Sequence, residues 1–362
     1  GETLLFTSHT EHCHGGAGNS LLKLIKYLRH DYRIVALVPR EGAMCGGLTA
    51  MGAKWYPVAL RLRNIFRIAS FMRKRDISVV YGSCLLRSSW VAFWASRLSG
   101  KPFVWHVREV RPRIAPRLAF ALRHSAAVIA VSEACAAPLR AIVPDRLSVV
   151  PNGVDLVDFA DPDDTYLRHV LALPAKAQIV LNVGRVCEQK NQFDTLHALG
   201  SVLAQHAETH LCFVGQLQDE DYATGLVRRA EALGVHKRVH FLGHRVDVQR
   251  LLAGADVVVH TSRTEAHPRV MLEAMAAAVP VVAYAVGGVP EAIVDGHTGH
   301  LVAFGDTAGL AQRVLELLGS PEQRKAMGSA GKAHVARCFT AERTAAEVAR
   351  VISRVICRNT LC

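Results

Sequence analysis

Aromatic residues make up only 6% of the 362 residues, and the chain has no block of like charge and no repeated low-complexity tract. With half of its residues hydrophobic and 20% charged, disordered, collagen-like and coiled-coil chains are excluded and a folded globular chain is expected. Long apolar runs are missing as well. The longest uncharged stretch, residues 274–290, contains Pro280, Gly287 and Gly288 and falls short of the roughly 18 apolar residues of a membrane span. Glu2 precedes a brief Leu4-Leu5-Phe6 run that gives way to polar residues. A secretory leader needs a basic region followed by an apolar core, so the expectation is a cytoplasmic chain. The nine cysteines are scattered and include no C-x-x-C pair. That argues against a zinc knuckle or redox motif and for reduced, mostly buried thiols. No G-x-G-x-x-G follows an apolar run, and Gly328-Ser329-Ala330-Gly331-Lys332 lacks the spacing and hydroxyl of a P-loop. Both observations argue against dinucleotide binding and P-loop chemistry.

What is present is charge, unevenly placed. Residues 1–150 carry 22 Lys/Arg against 8 Asp/Glu, whereas residues 151–362 carry 21 against 23. A first half at +14 beside a second at −2 points the first half toward something anionic: a phosphorylated acceptor, an anionic membrane surface or nucleic acid. Within it, Leu62, Ile65, Phe66, Ala69 and Met72 recur at helical spacing among Arg61, Arg63, Arg67, Arg73, Lys74 and Arg75. This reads as an interfacial amphipathic helix or as a crossover helix with a solvated face, and a crossover helix can also rest on anionic lipid. Arg108, Arg111, Arg113, Arg117 and Arg123 extend that surface or hold an acceptor phosphate. A nucleic-acid binder would interleave aromatic platforms with its cations, and no such pattern is found.

Short apolar runs at 4–7, 33–38, 78–81, 103–106, 127–131 and 147–150 alternate with segments of helical period. The pattern repeats with runs at 179–183, 211–214, 239–242, 257–260, 281–284 and 299–302. Alternation of this kind predicts two doubly wound parallel sheets that bind ligands outside the carboxyl ends of their strands, facing one another across a cleft. Turn chemistry at Pro151-Asn152-Gly153 places the domains at 1–152 and 153–339. In 340–362, Ala345, Val348, Val351, Ile352 and Val355 form an apolar helical stripe expected to return to the first domain.

The segment from His260 to Tyr284 carries the most specific chemistry. A strand ends at His260, Glu265 follows in a loop, and Pro268 suits the first turn of a helix containing Glu273. Such a helix start offers free N–H groups and a positive dipole end to an anion, and the carboxylates can accept bonds from hydroxyls. Arg185 and Lys190 follow another strand, the first as a two-bond fork for phosphate and the second as a point charge. A phosphorylated sugar fits this set. His106, at a strand's carboxyl end, is a further candidate. His9, Glu11, His12, Cys13 and His14 offer metal-ligand chemistry at a spacing that fits no standard site, so contact with a donor or acceptor is the expected reading and no metal is assigned.

In the order and spacing of these motifs the sequence resembles the retaining GT-B glycosyltransferases of family 4. The resemblance is carried by Gly15-Gly16, the run from Trp105 to Glu109, the run from Val150 to Asp155, Val183-Gly184-Arg185 with Lys190, and Glu265 with Glu273-Ala274-Met275-Ala276. It implies a GT-B fold of two Rossmann-like domains and transfer of a sugar from a UDP- or GDP-sugar, with no cofactor, onto a glycan or lipid-linked acceptor in cell-envelope or exopolysaccharide biosynthesis. It also implies roles: Arg185 and Lys190 on the donor diphosphate, Glu273 on the ribose, Glu265 near the reacting carbon, and the N–H groups around Arg269 and Val270 on the phosphates. Gly15 and Gly16 would approach diphosphate and acceptor, and His106 the transferred sugar. The alternatives are a nucleotide-sugar epimerase on the same fold and a basic nucleic-acid binder. The sequence departs from the family pattern at Ala266-His267-Pro268, where an aromatic-glycine pair is common, at Ala278, where glycine is common, and at Ala17-Gly18-Asn19, which lacks a glutamate. Lacking a second carboxylate opposite Glu265, the expected mechanism is same-face attack with retention, the leaving phosphate taking the acceptor's proton.

Overall fold

Apolar runs rich in Val, Ile, Leu and Ala become strands buried on both faces, as parallel sheets require. A computed structural model describes residues 1–8, 10, 16–84 and 87–360, grouped into two units: residues 1–153 with 341–362, and residues 154–340. The first unit holds β1 (Thr3–Thr7), β2 (Arg33–Val38), β3 (Lys54–Pro57), β4 (Val79–Ser83), β5 (Phe103–Val107), β6 (Ala127–Ala130) and β7 (Leu147–Val149). They form one sheet in the order β3-β2-β1-β4-β5-β6-β7, and each pairing is parallel. The second unit holds β8 (Gln178–Val183), β9 (Thr209–Val214), β10 (Val239–Phe241), β11 (Val257–His260), β12 (Val281–Tyr284) and β13 (His300–Val302). Their order is β10-β9-β8-β11-β12-β13, also parallel throughout. Both sheets therefore reverse strand order beside their first strand, which sets the crevice for a ligand at β1/β4 in one unit and β8/β11 in the other. This is the two-domain α/β GT-B architecture.

β3 is absent from the expected apolar runs. Its Lys54 and Pro57 are exposed and its Trp55 and Tyr56 half-buried, which is the composition of a sheet edge, where Pro and Lys block further pairing. The helix Ala341–Thr360 packs on the helix Gly16–Leu28 and places Ala345, Val348, Val351, Ile352 and Val355 in the core of the first unit. Polar ties fix its register: Thr344 Oγ1 donates to the Pro151 carbonyl at 2.9 Å and Tyr32 bonds Ser353 at 3.0 Å.

The amphipathic stripe read at 62–72 divides. In the helix Ile65–Lys74, Ile68, Ala69 and Met72 are buried, whereas Leu62 and Phe66 are 46% and 74% exposed. Seven cysteines, at 45, 84, 135, 187, 212, 338 and 357, are free thiols, and Cys45, Cys84, Cys135 and Cys212 are buried. In the second unit, Ala278 has φ 60°, a left-handed conformation that costs a residue with a Cβ roughly 1–2 kcal/mol. A Cβ on Gly328, in the helix Pro321–Cys338, would lie 1.9 Å from the Ala278 carbonyl oxygen, so helix and strained turn meet backbone to backbone.

Candidate functional site

At the switch point of the second sheet, β8 runs into Gly184 and Arg185, and β11 into residues 261–265. Two close backbone approaches shape these loops. Gly215 has φ 153°, and a Cβ there would sit 1.9 Å from the Gly184 carbonyl. Gly287 has φ 53°, and its Cβ would sit 1.9 Å from the Glu265 carbonyl, which accepts a bond from Gly288 N–H at 3.0 Å. The loop carrying Glu265 is thus held from its backbone side, and its side chain is left to the site.

Behind Glu265 lies a buried hydroxyl and amide ladder. Asn182 of β8 donates to the Val259 carbonyl at 3.0 Å and to Thr195 Oγ1 at 3.2 Å; Thr195 and Thr261 hydroxyls meet at 2.8 Å, and Thr261 reaches the Asn191 carbonyl at 2.9 Å. The Arg263 N–H donates to the Gln189 carbonyl at 2.9 Å. Asn191 has φ 54°, one of the residue types that tolerates the left-handed region. It turns the chain from the 3₁₀ turn Glu188–Lys190 into the helix Gln192–Gln205. The Lys190 stem then lies along Gly184, its Cδ 3.4 Å from where a Cβ would stand.

The Lys190 ammonium donates to Glu265 Oε1, and His260 Nε2 approaches the same oxygen at 3.0 Å. All three side chains are largely buried. Burial pushes the Glu265 carboxyl up, but the Lys190 charge and the His260 bond outweigh it and hold the group well below the usual carboxylate range. Arg185 is exposed, its guanidinium bonded to Gln218 at 2.7 Å and Gln189 at 3.3 Å. Four residues beyond Glu265 the helix Arg269–Ala276 begins, with Pro268 as its N-cap and no side-chain cap. Its first N–H groups lack intrahelical partners by construction. Buried Arg269 donates to Glu273 Oε1 at 2.9 Å across one turn. Lys190 and Glu265 therefore meet directly, and Arg185 follows the glycine against which the Lys190 stem rests. Val270 is half-buried in the first helical turn. His267, in the departing segment, is buried against the Phe339 ring at 5.3 Å, and burial lowers its imidazole to about 4.

In the first unit His106 is the penultimate residue of β5, fully buried. Its Nδ1 meets the Tyr81 hydroxyl from β4 and Arg108 Nη2 at 3.4 Å. Burial and the Arg108 charge lower the imidazole well below its ordinary range, and burial raises the Tyr81 phenol. A neutral ring facing a guanidinium, which can only donate, accepts at Nδ1, so the proton sits on Nε2. That atom is buried with no partner among the described residues. Arg108 also donates to Asn152 Oδ1 at 2.6 Å and so is turned into the unit, whereas Arg111, Arg113, Arg117 and Arg123 are exposed. Beside this group Cys84 has φ 70°, and burial raises its thiol to about 11. Gly16 begins the helix Gly16–Leu28; Gly15 and the cluster His9, Glu11, His12, Cys13 and His14 lie outside the described residues.

Sequence reasoning did not assign His260, Tyr81, Asn182 or Thr261 to the site. The available signal was position: His260 and Tyr81 lie at or near strand carboxyl ends and Asn182 interrupts an apolar strand. Among the described residues no group of three or more His, Cys, Asp and Glu is gathered as a metal site requires, and no helix is long and apolar enough to cross a membrane.

Comparison with known proteins gives two family matches, one in each unit. Residues 14–158 match the model for Glycosyltransferase Family 4 and residues 163–334 that for glycosyl transferases group 1. A D-inositol 3-phosphate glycosyltransferase of Segniliparus rotundus is 35% identical over 205 residues, 56% of this chain and 45% of that protein. An N-acetyl-alpha-D-glucosaminyl L-malate synthase of Bacillus anthracis is 29% identical over 234 residues, 64% of this chain and 60% of that protein. The chain thus spans about half the length of the curated relatives it matches. Among solved structures, Anabaena Alr3699/HepE in complex with UDP-glucose aligns over 97% of this chain and 99% of its own, with TM-score 0.85 and 25% identity.

Proposed function

Since a family model matches each unit, the chain belongs to the group 1, family 4 glycosyltransferases, and from that premise we propose that it transfers a sugar from a UDP- or GDP-sugar to an acceptor with retention at the anomeric carbon. The observation that carries the reading is the convergence of the Lys190 ammonium and His260 on the Glu265 carboxylate, at the switch point of the second sheet and four residues before an uncapped helix start. A nucleoside diphosphate needs cations and N–H donors at one end and acceptors for hydroxyls at the other. Arg185 and Lys190 supply the first, with the N–H groups at Arg269 and Val270; Glu273 supplies a ribose acceptor, anchored by Arg269. Two side-chain cations and a helix dipole can neutralise a leaving diphosphate without a metal ion. Glu265, held ionised by its neighbours, would stabilise positive charge developing at the reacting carbon and orient the sugar. With no second carboxylate assigned to the opposite face, the departing phosphate oxygen would take the acceptor's proton on the face it leaves.

The first unit would serve the acceptor, with His106 Nε2–H as a donor to a sugar hydroxyl. The relatives named above act on inositol 3-phosphate or malate by their names, and a unit of net charge +16 suits an anionic acceptor, here assigned to a glycan or lipid-linked intermediate of the cell envelope or an exopolysaccharide. Leu62 and Phe66, exposed among Arg61, Arg63, Arg67, Arg73 and Lys74, would rest this unit on an anionic membrane from its cytoplasmic side. Nucleotide titration tests the donor assignment. UDP or GDP at 100 times its dissociation constant should stabilise the fold by about 2.7 kcal/mol, and Arg185→Ala should remove most of that gain. A product of inverted anomeric configuration, read by NMR coupling constants, would refute the mechanism.

A further inference from the structure

The sheet edge opposite the candidate site in the first unit is not bare. The amino ends of β1, β2 and β3 border a cavity of about 750 Å³ whose walls include Arg29, Arg33, Lys54, Lys74 and Arg75, with Asp76 as the one carboxylate among its lining residues. The volume is in the range of small-molecule sites. These cations come from three separate stretches of chain: the turn between the helix Gly16–Leu28 and β2, the first residue of β3, and the end of the helix Ile65–Lys74. A helix C-terminus attracts cations without any ligand, and that accounts for Lys74. It does not account for Arg33 and Lys54, which open strands. Neutralisation inside the cavity is slight, since among the described residues Asp76 pairs only with Arg33, at 3.8 Å. Among the described residues, Arg29, Lys54 and Lys74 have no ion-pair partner.

One cation also packs on aromatic rings. The Arg75 guanidinium lies over the Tyr56 ring at 4.2 Å and the Phe71 ring at 4.6 Å, a contact with ring faces that uses none of its N–H groups. Asp76, next to it, has φ 44°, so the chain turns sharply just where it delivers two cations and the carboxylate. A flat guanidinium fork and ammonium groups lining one cavity are the donor set that recognises phosphate.

From this arrangement we propose that the cavity is a second anion site, separate from the donor site, that binds a phosphate monoester or diphosphate group. Two sources carry that group, a soluble phosphorylated metabolite and a phospholipid headgroup. The charge that makes the first unit basic is in this view partly a specific receptor and not only a diffuse field.

Equilibrium dialysis of the full chain with labelled inorganic pyrophosphate tests the site, run in an Arg185→Ala background to remove the exposed cation of the proposed donor site. One pyrophosphate per chain is expected, with affinity falling at least tenfold in Lys54→Glu/Lys74→Glu and falling as salt rises. The milder Lys54→Gln and Lys74→Gln changes, at exposed positions, should each weaken binding about threefold and guard against a folding artefact. Absence of pyrophosphate binding, or binding indifferent to these four substitutions, would overturn the proposal. Phosphatidylglycerol vesicles that displace pyrophosphate, where phosphatidylcholine vesicles do not, support the site with a headgroup as its ligand. Pyrophosphate binding undisturbed by either vesicle supports the site with a soluble ligand.

Discussion

The two units share one strand order and use charge in opposite ways. Residues 154–340 contain 17 Lys/Arg and 21 Asp/Glu, while residues 1–153 with 341–362 contain 26 and 10. In the second unit the ions are partly internal: Arg168 with Asp256 at 2.7 Å, Arg269 with Glu273 at 2.9 Å and Lys190 with Glu265 are all largely shielded from water. In the first, the pairs Arg33–Asp76, Arg140–Glu133 and Arg343–Glu347 each have an arginine more than half exposed, and exposed pairs contribute only about 0–1 kcal/mol. One strand pattern therefore supports, in one unit, a cluster of shielded and mutually bonded charges and, in the other, a surface rich in exposed cations. Fold alone does not decide which.

The sharpest way to break this contrast is to remove a single shielded charge. Lys190→Ala leaves Glu265 desolvated without its cation, and stability should fall by about 3–5 kcal/mol while turnover drops by about 10²-fold or more. Arg185→Ala should match the loss of turnover with a stability change within about 0.5 kcal/mol, because Arg185 is exposed. Urea denaturation of the two variants, alongside initial rates, separates the roles. Equal stability of both would mean that the Lys190–Glu265 pair adds nothing to the fold.

Acid should divide the units next. The imidazoles of His210, His240, His267, His300 and His334, all in the second unit, are lowered by burial, as is that of His106 in the first. For His267 the folded value is about 4 against an ordinary 6.5. Between those values the unfolded chain binds a proton that the native one does not, so stability present above pH 6.5 is lost as pH falls toward 4. The loss is about 3 kcal/mol for His267 alone, and His267→Asn should flatten it. All four tryptophans, Trp55, Trp90, Trp94 and Trp105, belong to the first unit. Tryptophan fluorescence thus follows that unit, while circular dichroism follows both. Between pH 7 and 5 the dichroism midpoint should fall further than the fluorescence midpoint, and coincident shifts would defeat the assignment.

A smaller effect is expected in the first unit at Tyr81→Phe. The phenol is the short-range donor to His106 Nδ1, and its loss leaves only the longer Arg108 contact to hold that nitrogen. Stability should fall by about 1 kcal/mol, with a larger rise in KM than fall in kcat if His106 holds a substrate hydroxyl. The smallest change, Ala278→Gly, removes left-handed strain of about 1–2 kcal/mol but adds unfolded-state entropy of about 0.4–1 kcal/mol. A midpoint raised by a degree or two in calorimetry is expected, and confined to the second unit.

The sequence made the fold legible wherever a strand is buried on both faces, because continuous apolar runs leave little else to choose. Lys54–Pro57 escaped because an edge strand is chosen by what it refuses to pair with, and that leaves no apolar signature. Glu265 and Lys190 were visible as residue types, but not their mutual contact, since they are 75 positions apart and periodicity carries no information over that distance. The Tyr81–His106 bond, across 25 positions, was hidden in the same way, whereas His260 stands five positions before Glu265 and was within reach of a local reading. The apolar stripe at 62–72 was read as one face, yet Ile68, Ala69 and Met72 are buried and Leu62 and Phe66 are left outside; helical spacing alone cannot say how wide a stripe the neighbours will cover.

The helix Ala341–Thr360 completes the core of a unit whose other members end at residue 153. On the ribosome, where domains tend to close in the order they emerge, the earlier-made unit must therefore wait with the helix Gly16–Leu28 lacking its helical neighbour until the later one has been synthesised. Order of manufacture and order of maturation are inverted, and a nascent chain halted once residue 340 has emerged would present a finished second half tethered to an unfinished first.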